Sequence, residues 1–228
     1  MAGSYAHVFV EPHFDDVALS CSGLALVARE RGEPVLVVTL FAGNPGAGAE
    51  VTDFAAGQHA RWGGADDPIA ERVAEQRAAL GLLGADWRPM DWLDAIYRGD
   101  RYLSDDDLFG PVKNEAELLE EIRAALGGIA AENPGARWYA PLCLGNHVDH
   151  QIARSAAAGL RPLHYEDFPY AIKARPTGTP ELTVAVDLAA KVAAIACYRS
   201  QIPTLFGDAA RMEQSVRAYY ATGERYWL

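Results

Sequence analysis

Residues 7–41, HVFVEPHFDDVALSCSGLALVARERGEPVLVVTLF, decide the fold. His7 to Val10 is a short β-branched run followed by Pro12. From about Asp16 to Arg31 the apolar residues Leu19, Leu24, Leu26 and Val27 form the stripe of a helix, which Gly32 ends. Pro34 then opens Val35 to Phe41, a continuous apolar run of the kind found in a strand covered on both faces, as parallel strands are. The order strand, helix, buried strand is a βαβ opening.

The alternation continues along the chain. A second helix with Ile69, Val73, Ala79, Leu80 and Leu83 on one face ends at Gly84, and a weaker strand candidate follows near Trp87 to Trp92. A third helix carries Leu118, Leu119, Ile122, Leu126 and Ile129, and after Asn133-Pro134-Gly135 a strand resumes from Arg137 to Ala140. Then come a helix at Asp149 to Leu160, a strand at Leu182 to Val186, and helices at Leu188 to Tyr198 and around Asp208 to Tyr220. Two stretches interrupt the pattern. Residues 42–67, dense in glycine and alanine, are expected to be a mobile loop or lid, and Ala95 to Lys113, with the acidic run Asp105 to Asp107, a surface excursion.

Parallel strands need crossovers, and helices are the usual ones. The expected fold is therefore α/β and Rossmann-like, a mostly parallel doubly wound sheet with helices on both faces in a single domain over residues 1–228. Ligands in such sheets bind beyond the carboxyl ends of the strands, which points to the turns near Pro12 and Pro141.

Composition narrows the partners. The 228 residues are 50% hydrophobic and 22% charged, the balance of a folded globular chain. Lys and Arg total 20 against 31 acids, a net charge of −11 that repels nucleic acid and anionic lipid alike. Glu11, His13, Asp15 and Asp16 rule out a signal-peptide core, and no apolar stretch approaches the roughly 18 residues of a membrane span. The expected location is the cytoplasm. Cys21, Cys143 and Cys197 form no CxxC pair and give neither a disulfide framework nor a thiolate zinc site; burial as small hydrophobes is expected.

Both ligand-binding turns carry metal-ligand chemistry: Pro12-His13-Phe14-Asp15-Asp16, and His147-Val148-Asp149-His150. Two imidazoles and one carboxylate are a common set for catalytic zinc with a position left for water, and they also suit iron(II). Adjacent Asp15 and Asp16 do not easily meet one ion in the same way, so one fits a ligand and the other a free carboxylate acting as general base. Asp15 or Asp16, and Asp149, also suit helix N-caps, and each segment alone reads that way. If Asp149 caps the following helix, His147 and His150 need not share a face.

These residues resemble a known family. Pro12-His13-Phe14-Asp15-Asp16, with Ala18 to Gly23 behind it, resembles the (A/P)HPDDE…G opening of the PIG-L/LmbE-like zinc deacetylases, and His147-Val148-Asp149-His150 resembles their HxDH motif. Arg72, Glu75, Ala79 and Leu83-Gly84 are similar to the family's RxxE…A…LG helix, and Tyr165 to Tyr170 to a segment of bacterial members. The resemblance implies a metal-dependent removal of N-acetyl groups from amino sugars or their glycoconjugates. It implies that His13, Asp16 and His150 bind the metal, that Asp15 is the general base, that His147 stabilises the oxyanion, and that Asp149 orients His147. Arg72 and Asp94 are the implied substrate contacts. Phe14 and Val17 depart from the family's proline and glutamate; neither is an implied ligand.

Other histidines and tryptophans carry less. His59 and His164 read as structural, Trp62 is a candidate sugar platform in the loop, and Tyr219, Tyr220, Tyr226 and Trp227 are expected to dock the C-terminal end on the body or on another subunit; a homo-oligomer stays open. Two rival readings remain: an iron(II) oxygenase built on His147 and Asp149, which calls for an all-β double-stranded helix, and a sugar-binding member without turnover, which calls for a lost ligand or base, a site closed by the lid, or a water position blocked by Phe14.

Overall fold

The computed structural model describes residues 4–46 and 49–228. In chain order its elements are β1 (His7–Glu11), α1 (Asp16–Glu30), β2 (Val35–Thr39), α2 (Asp53–Arg61), α3 (Pro68–Leu83), β3 (Asp86–Pro89), α4 (Asp105–Leu108), α5 (Ala116–Glu132) and β4 (Arg137–Pro141). They continue with α6 (Val148–Ala157), β5 (Leu163–Tyr165), β6 (Leu182–Val184), α7 (Leu188–Ile195), α8 (Ile202–Phe206), α9 (Ala209–Tyr219) and β7 (Glu224–Trp227).

The strands form one seven-stranded sheet in the order β3-β2-β1-β4-β5-β7-β6. Pairing is parallel through the first five strands of that order, and β7 runs antiparallel to both its neighbours. Every residue of β1 and β2 is buried, as strands covered on both faces must be. Strand alternation divides the core between the two faces. Val8, Val10, Leu36 and Val38 pack on Ile122, Leu126 and Ile129 of α5 and on Ile152 and Ala156 of α6. Phe9, Val35 and Val37 point the other way, onto Val17, Cys21 and Leu24 of α1 and Leu80 and Leu83 of α3. The doubly wound architecture expected from the sequence is the one present.

Local chemistry explains the boundaries that match. Asp67 accepts from the Ala70 N–H at 2.9 Å, Pro68 occupies the first turn of α3, and Gly84 closes it at φ 67°, a conformation glycine adopts freely.

Some expectations are corrected. The stretch 42–67, read as a loop, contains α2, started by Thr52 Oγ1 accepting from Ala55 N–H at 3.1 Å; residues 47 and 48 lie outside the described residues. Its composition hid a helix held by tertiary packing of Ala55 and Trp62 against Ile96 and Tyr102. The excursion at 95–113 is likewise not merely surface: Ile96 of a 3-10 turn at Ala95–Tyr97, Leu108 of α4 and Tyr102 between them are buried. Of the C-terminal aromatics, Tyr226 and Trp227 dock as part of β7, which inserts into the sheet with Tyr226 opposite both Tyr165 and Leu182, while Tyr219 and Tyr220 pack in the core with Phe168. All three cysteines are free, but only Cys21 is buried.

Lys191 of α7 and Glu224 of β7 form a buried ion pair at 2.8 Å. Glu224 also accepts from the N–H groups of Gly23 and Leu24, so one carboxylate ties α1, α7 and β7 together. No described helix is long and apolar enough to cross a membrane.

Candidate functional site

Because β1 and β4 are parallel neighbours, the turns that follow them emerge at the same sheet edge. The first leads into α1 and the second into α6, and together they bring His13, Asp15, Asp16, His147, Asp149 and His150 into one cluster. Neither aspartate of the first turn caps α1 through its side chain in the expected way. Asp15 holds the cap position at φ 97° with no side-chain cap bond, and Asp16 Oδ2 accepts from the His13 N–H at 2.8 Å. At α6 the cap is His147 rather than Asp149: its Nδ1 accepts from the Asp149 N–H at 3.2 Å.

The hydrogen bonds decide which nitrogens are free. His13 Nε2 lies 2.9 Å from Asp149 Oδ2, and His150 Nδ1 lies 2.6 Å from Asp167 Oδ1. The opposite nitrogens face Asp16, with His13 Nδ1 3.8 Å from Oδ2 and His150 Nε2 3.5 Å from Oδ1. His13, Asp16 and His150 thus present ligand atoms within 4.8 Å of one another, while a carboxylate backs each imidazole, the usual arrangement around a metal-binding histidine. A second grouping, His13, His147 and Asp149, meets the same distance test. It would have to use the Asp149 carboxylate already joined to His13 Nε2. The first grouping is the one whose donor set and supporting contacts fit a cation together.

Electrostatics agree with that division. Burial works against charge on His13, but Asp94, Asp149 and Asp16 outweigh it and push its pKa up. At His150 the same contest, won by Asp16 and Asp167, ends at about 9. The carboxylates around these two imidazoles therefore favour positive charge at this point of the cleft, a charge that a cation held by the neutral imidazoles would supply. His147 behaves oppositely: burial, and then His13, hold its pKa well below the ordinary value, so it is a neutral imidazole. With Nδ1 accepting from a backbone N–H, its proton sits on Nε2, a donor that needs no charge. Asp15 is raised to about 7, chiefly by burial and by Asp16, with Arg72 opposing.

These groups open on a cleft of about 340 Å³ walled by Trp62, Arg72, Asp94, Phe109, Tyr170 and Leu205. Asp94 Oδ2 is 3.6 Å from His13 Nε2, and its Oδ1 accepts from the Ile96 N–H at 3.2 Å. Arg72 is held between the Trp62 and Phe14 rings, its guanidinium carbon 4.7 and 5.3 Å from their centroids, and donates to the Phe14 carbonyl. Its buried Nε has no partner among the described residues. Phe14 itself packs in the core beside Trp87 and does not line the cleft. His59 bonds the Tyr97 hydroxyl at 2.6 Å, and His164 the Pro141 carbonyl.

Several supporting residues escaped the sequence reading. Asp149 does not orient His147 through its carboxylate, as the resemblance implied; the carboxylate holds His13. That carboxylate is gripped in turn by Arg98 Nη2 at 2.6 Å and by the Ala95 N–H at 3.0 Å. Arg98 lies in the stretch taken for a surface excursion, and no motif marked it. Asp167 lies in the Tyr165 to Tyr170 segment, whose resemblance to bacterial members was the one available signal.

The chain is similar to known proteins over most of its length. The profile of the PIG-L family, described as GlcNAc-PI de-N-acetylase, matches residues 8–160. The chain is similar to a 2'-N-acetylparomamine deacetylase of Niallia circulans, 28% identical over 255 residues covering 98% of this chain and 90% of that one. It is 32% identical to a 2'-N-acetylparomamine deacetylase of Streptomyces fradiae over 174 residues, 72% of this chain and 57% of that one. Among solved structures it resembles a pseudoaglycone deacetylase of an antimicrobial reagent, with TM-score 0.79, 28% identity, and 99% and 97% of the two chains covered. From the two histidine turns, the fold that joins them and the matching profile, the chain belongs to the PIG-L family of de-N-acetylases.

Proposed function

We propose that this protein is a metal-dependent hydrolase that removes an N-acetyl group from an amino sugar or an amino-sugar glycoconjugate. The observation that carries the reading is one cluster holding a cation site (His13, Asp16, His150), an unpaired carboxylate (Asp15) and a neutral imidazole donor (His147) around one cleft. The deacetylase names of its relatives support the reaction, and their amino-sugar and glycoconjugate substrates support the substrate class.

His13, Asp16 and His150 would hold a divalent cation, zinc or iron(II), by His13 Nδ1, His150 Nε2 and the Asp16 carboxylate. When bound there, such an ion supplies a Lewis acid that polarises the amide carbonyl and lowers the pKa of water. Asp15, ionised, takes the proton of the attacking water. The tetrahedral oxyanion accepts a hydrogen bond from His147 Nε2–H, a contact of the kind that contributes about 3 kcal/mol to the transition state. Asp15, with a pKa raised to about 7, is suited to return its proton to the leaving amine, whereas His147, held neutral, is not the stronger acid. Arg72 and Asp94 face the cleft where the sugar would lie.

The rival readings lose their footing. The sheet is parallel with helical crossovers rather than an all-β double-stranded helix, and Phe14 leaves the cleft open. The test is acetate release from a panel of N-acetylated amino-sugar glycosides, 2'-N-acetylparomamine included. Acetate appearing with an equal amount of free amine supports the proposal; a metal-loaded protein that releases none from any of them contradicts it.

A further inference from the structure

We propose that Gln76, its amide direction fixed by Glu11, is the positioning residue that holds Asp15 in the backbone conformation its role as base requires; this rests on the deacetylase reading above. Asp15 is a non-glycine residue at φ 97°, a region that L residues occupy only when their surroundings impose it. The surroundings here are a buried polar network with one consistent donor pattern.

The Asp15 N–H can only donate, so the Gln76 atom 3.3 Å from it is the amide oxygen. The Tyr198 hydroxyl donates to that same oxygen at 2.5 Å. The amide nitrogen must then point the opposite way, and it does, donating to Glu11 Oε1 at 2.5 Å. Glu11 is built to receive it. Its Oε1 also accepts from the Thr39 hydroxyl, whose oxygen is itself occupied by the Trp87 Nε1–H at 2.8 Å, and its Oε2 accepts from the Val17 N–H at 2.9 Å. Glu11, Thr39 and Gln76 are all fully buried.

The consequence falls on the site. Gln76 grips the backbone of residue 15 and Glu11 that of residue 17, one on each side of Asp16. The left-handed turn so fixed sends two consecutive carboxylates to different tasks: Asp16 toward His13 and His150, and Asp15 free in the cleft. Neither Gln76 nor Glu11 lines the cleft, so they act through Asp15.

The donor pattern supplies a test that ordinary loss of packing does not pass. Gln76→Glu sets two acceptors face to face, Glu11→Gln sets two donors face to face, and the double variant restores one donor and one acceptor with the direction reversed. With wild type first shown to release acetate, each single variant is expected to lose about tenfold or more in kcat with KM within about threefold and metal content retained, and the double variant to recover most of the loss. Single variants at wild-type kcat, or a double variant whose loss is the product of the two, would overturn the proposal. Should wild type release no acetate, the functional reading fails separately. A crystal structure of Gln76→Leu, or of Gln76→Met if the first does not fold, then decides: Asp15 relaxed to negative φ supports the positioning role, and Asp15 still near φ 97° overturns it.

Discussion

Asp149 Oδ2 accepts a hydrogen bond from His13 Nε2 at 2.9 Å, and that contact turns His13 Nδ1 toward Asp16. Asp149 is in turn paired with Arg98, which itself reaches Glu115 at 2.9 Å, so a chain of buried charges runs from the residue before α5 to the imidazole. Burial alone would raise the Asp149 pKa, but Arg98 and His13 overcome it and hold the group as a carboxylate. Asp149→Asn should therefore weaken metal binding by about 10- to 100-fold, the usual effect of losing a carboxylate behind a histidine ligand. Metal titration of the refolded variant checks this, and an unchanged affinity would show that Asp149 does not orient His13.

Asp15→Asn keeps the size of the side chain and removes the carboxylate proposed as the base. Metal content should stay near that of wild type while kcat falls by about 100- to 10,000-fold, the range expected for a general base. Retained turnover would remove Asp15 from the mechanism.

The pH dependence follows from the neighbours of Asp15. A base works ionised, so activity is lost as pH falls through its pKa. Burial and Asp16 raise that pKa to about 7, and the Arg72 charge opposes them. Taking away a cation favours the protonated form, so Arg72→Met should move the acidic limb of the kcat/KM profile to higher pH. A limb that stays in place or moves down contradicts the coupling.

Far from the cleft, Lys191→Met leaves Glu224 buried without its cation. The expected destabilisation is about 3–5 kcal/mol, because an unpaired buried charge costs more than the pair contributes. Urea unfolding measures it, and a loss below about 1 kcal/mol would mean the pair is not buried in solution as described.

The parts of the fold that the sequence discloses are those governed by periodicity. The apolar runs of β1 and β2 and the stripes of α1, α3 and α5 each report their own burial, and Asp67, Pro68 and Gly84 mark helix ends by local chemistry. What stays hidden depends on partners distant in sequence. β5 has three residues and β7 four, too few to show a period, and α2 is a helix because Trp62 and Ala55 find Ile96 and Tyr102.

The candidate site divides in the same way. His13, Asp15, Asp16, His147 and His150 announce themselves because two turns concentrate chemistry-bearing residues at one sheet edge. The groups behind them do not. Arg98, Asp167, Gln76 and Glu11 are ordinary polar residues in sequence, and only the fold shows that each contacts the imidazole, carboxylate or backbone that the chemistry uses. Even Asp149, legible as a motif residue, serves His13 by its carboxylate and His147 by its backbone, a distinction that requires coordinates.

The proposed reaction turns on a cation held by His13, Asp16 and His150. The measurement that tests it most directly follows acetate release from an N-acetylated amino-sugar substrate before chelation, after chelation and after readdition of one equivalent of zinc or iron(II), with bound metal determined at each stage. Near-stoichiometric metal is expected in the active protein, with loss of acetate release on loss of metal, recovery on readdition, and no metal uptake by His150→Ala. Acetate release that persists in metal-free protein, or a His150→Ala variant that binds metal as wild type does, would contradict it.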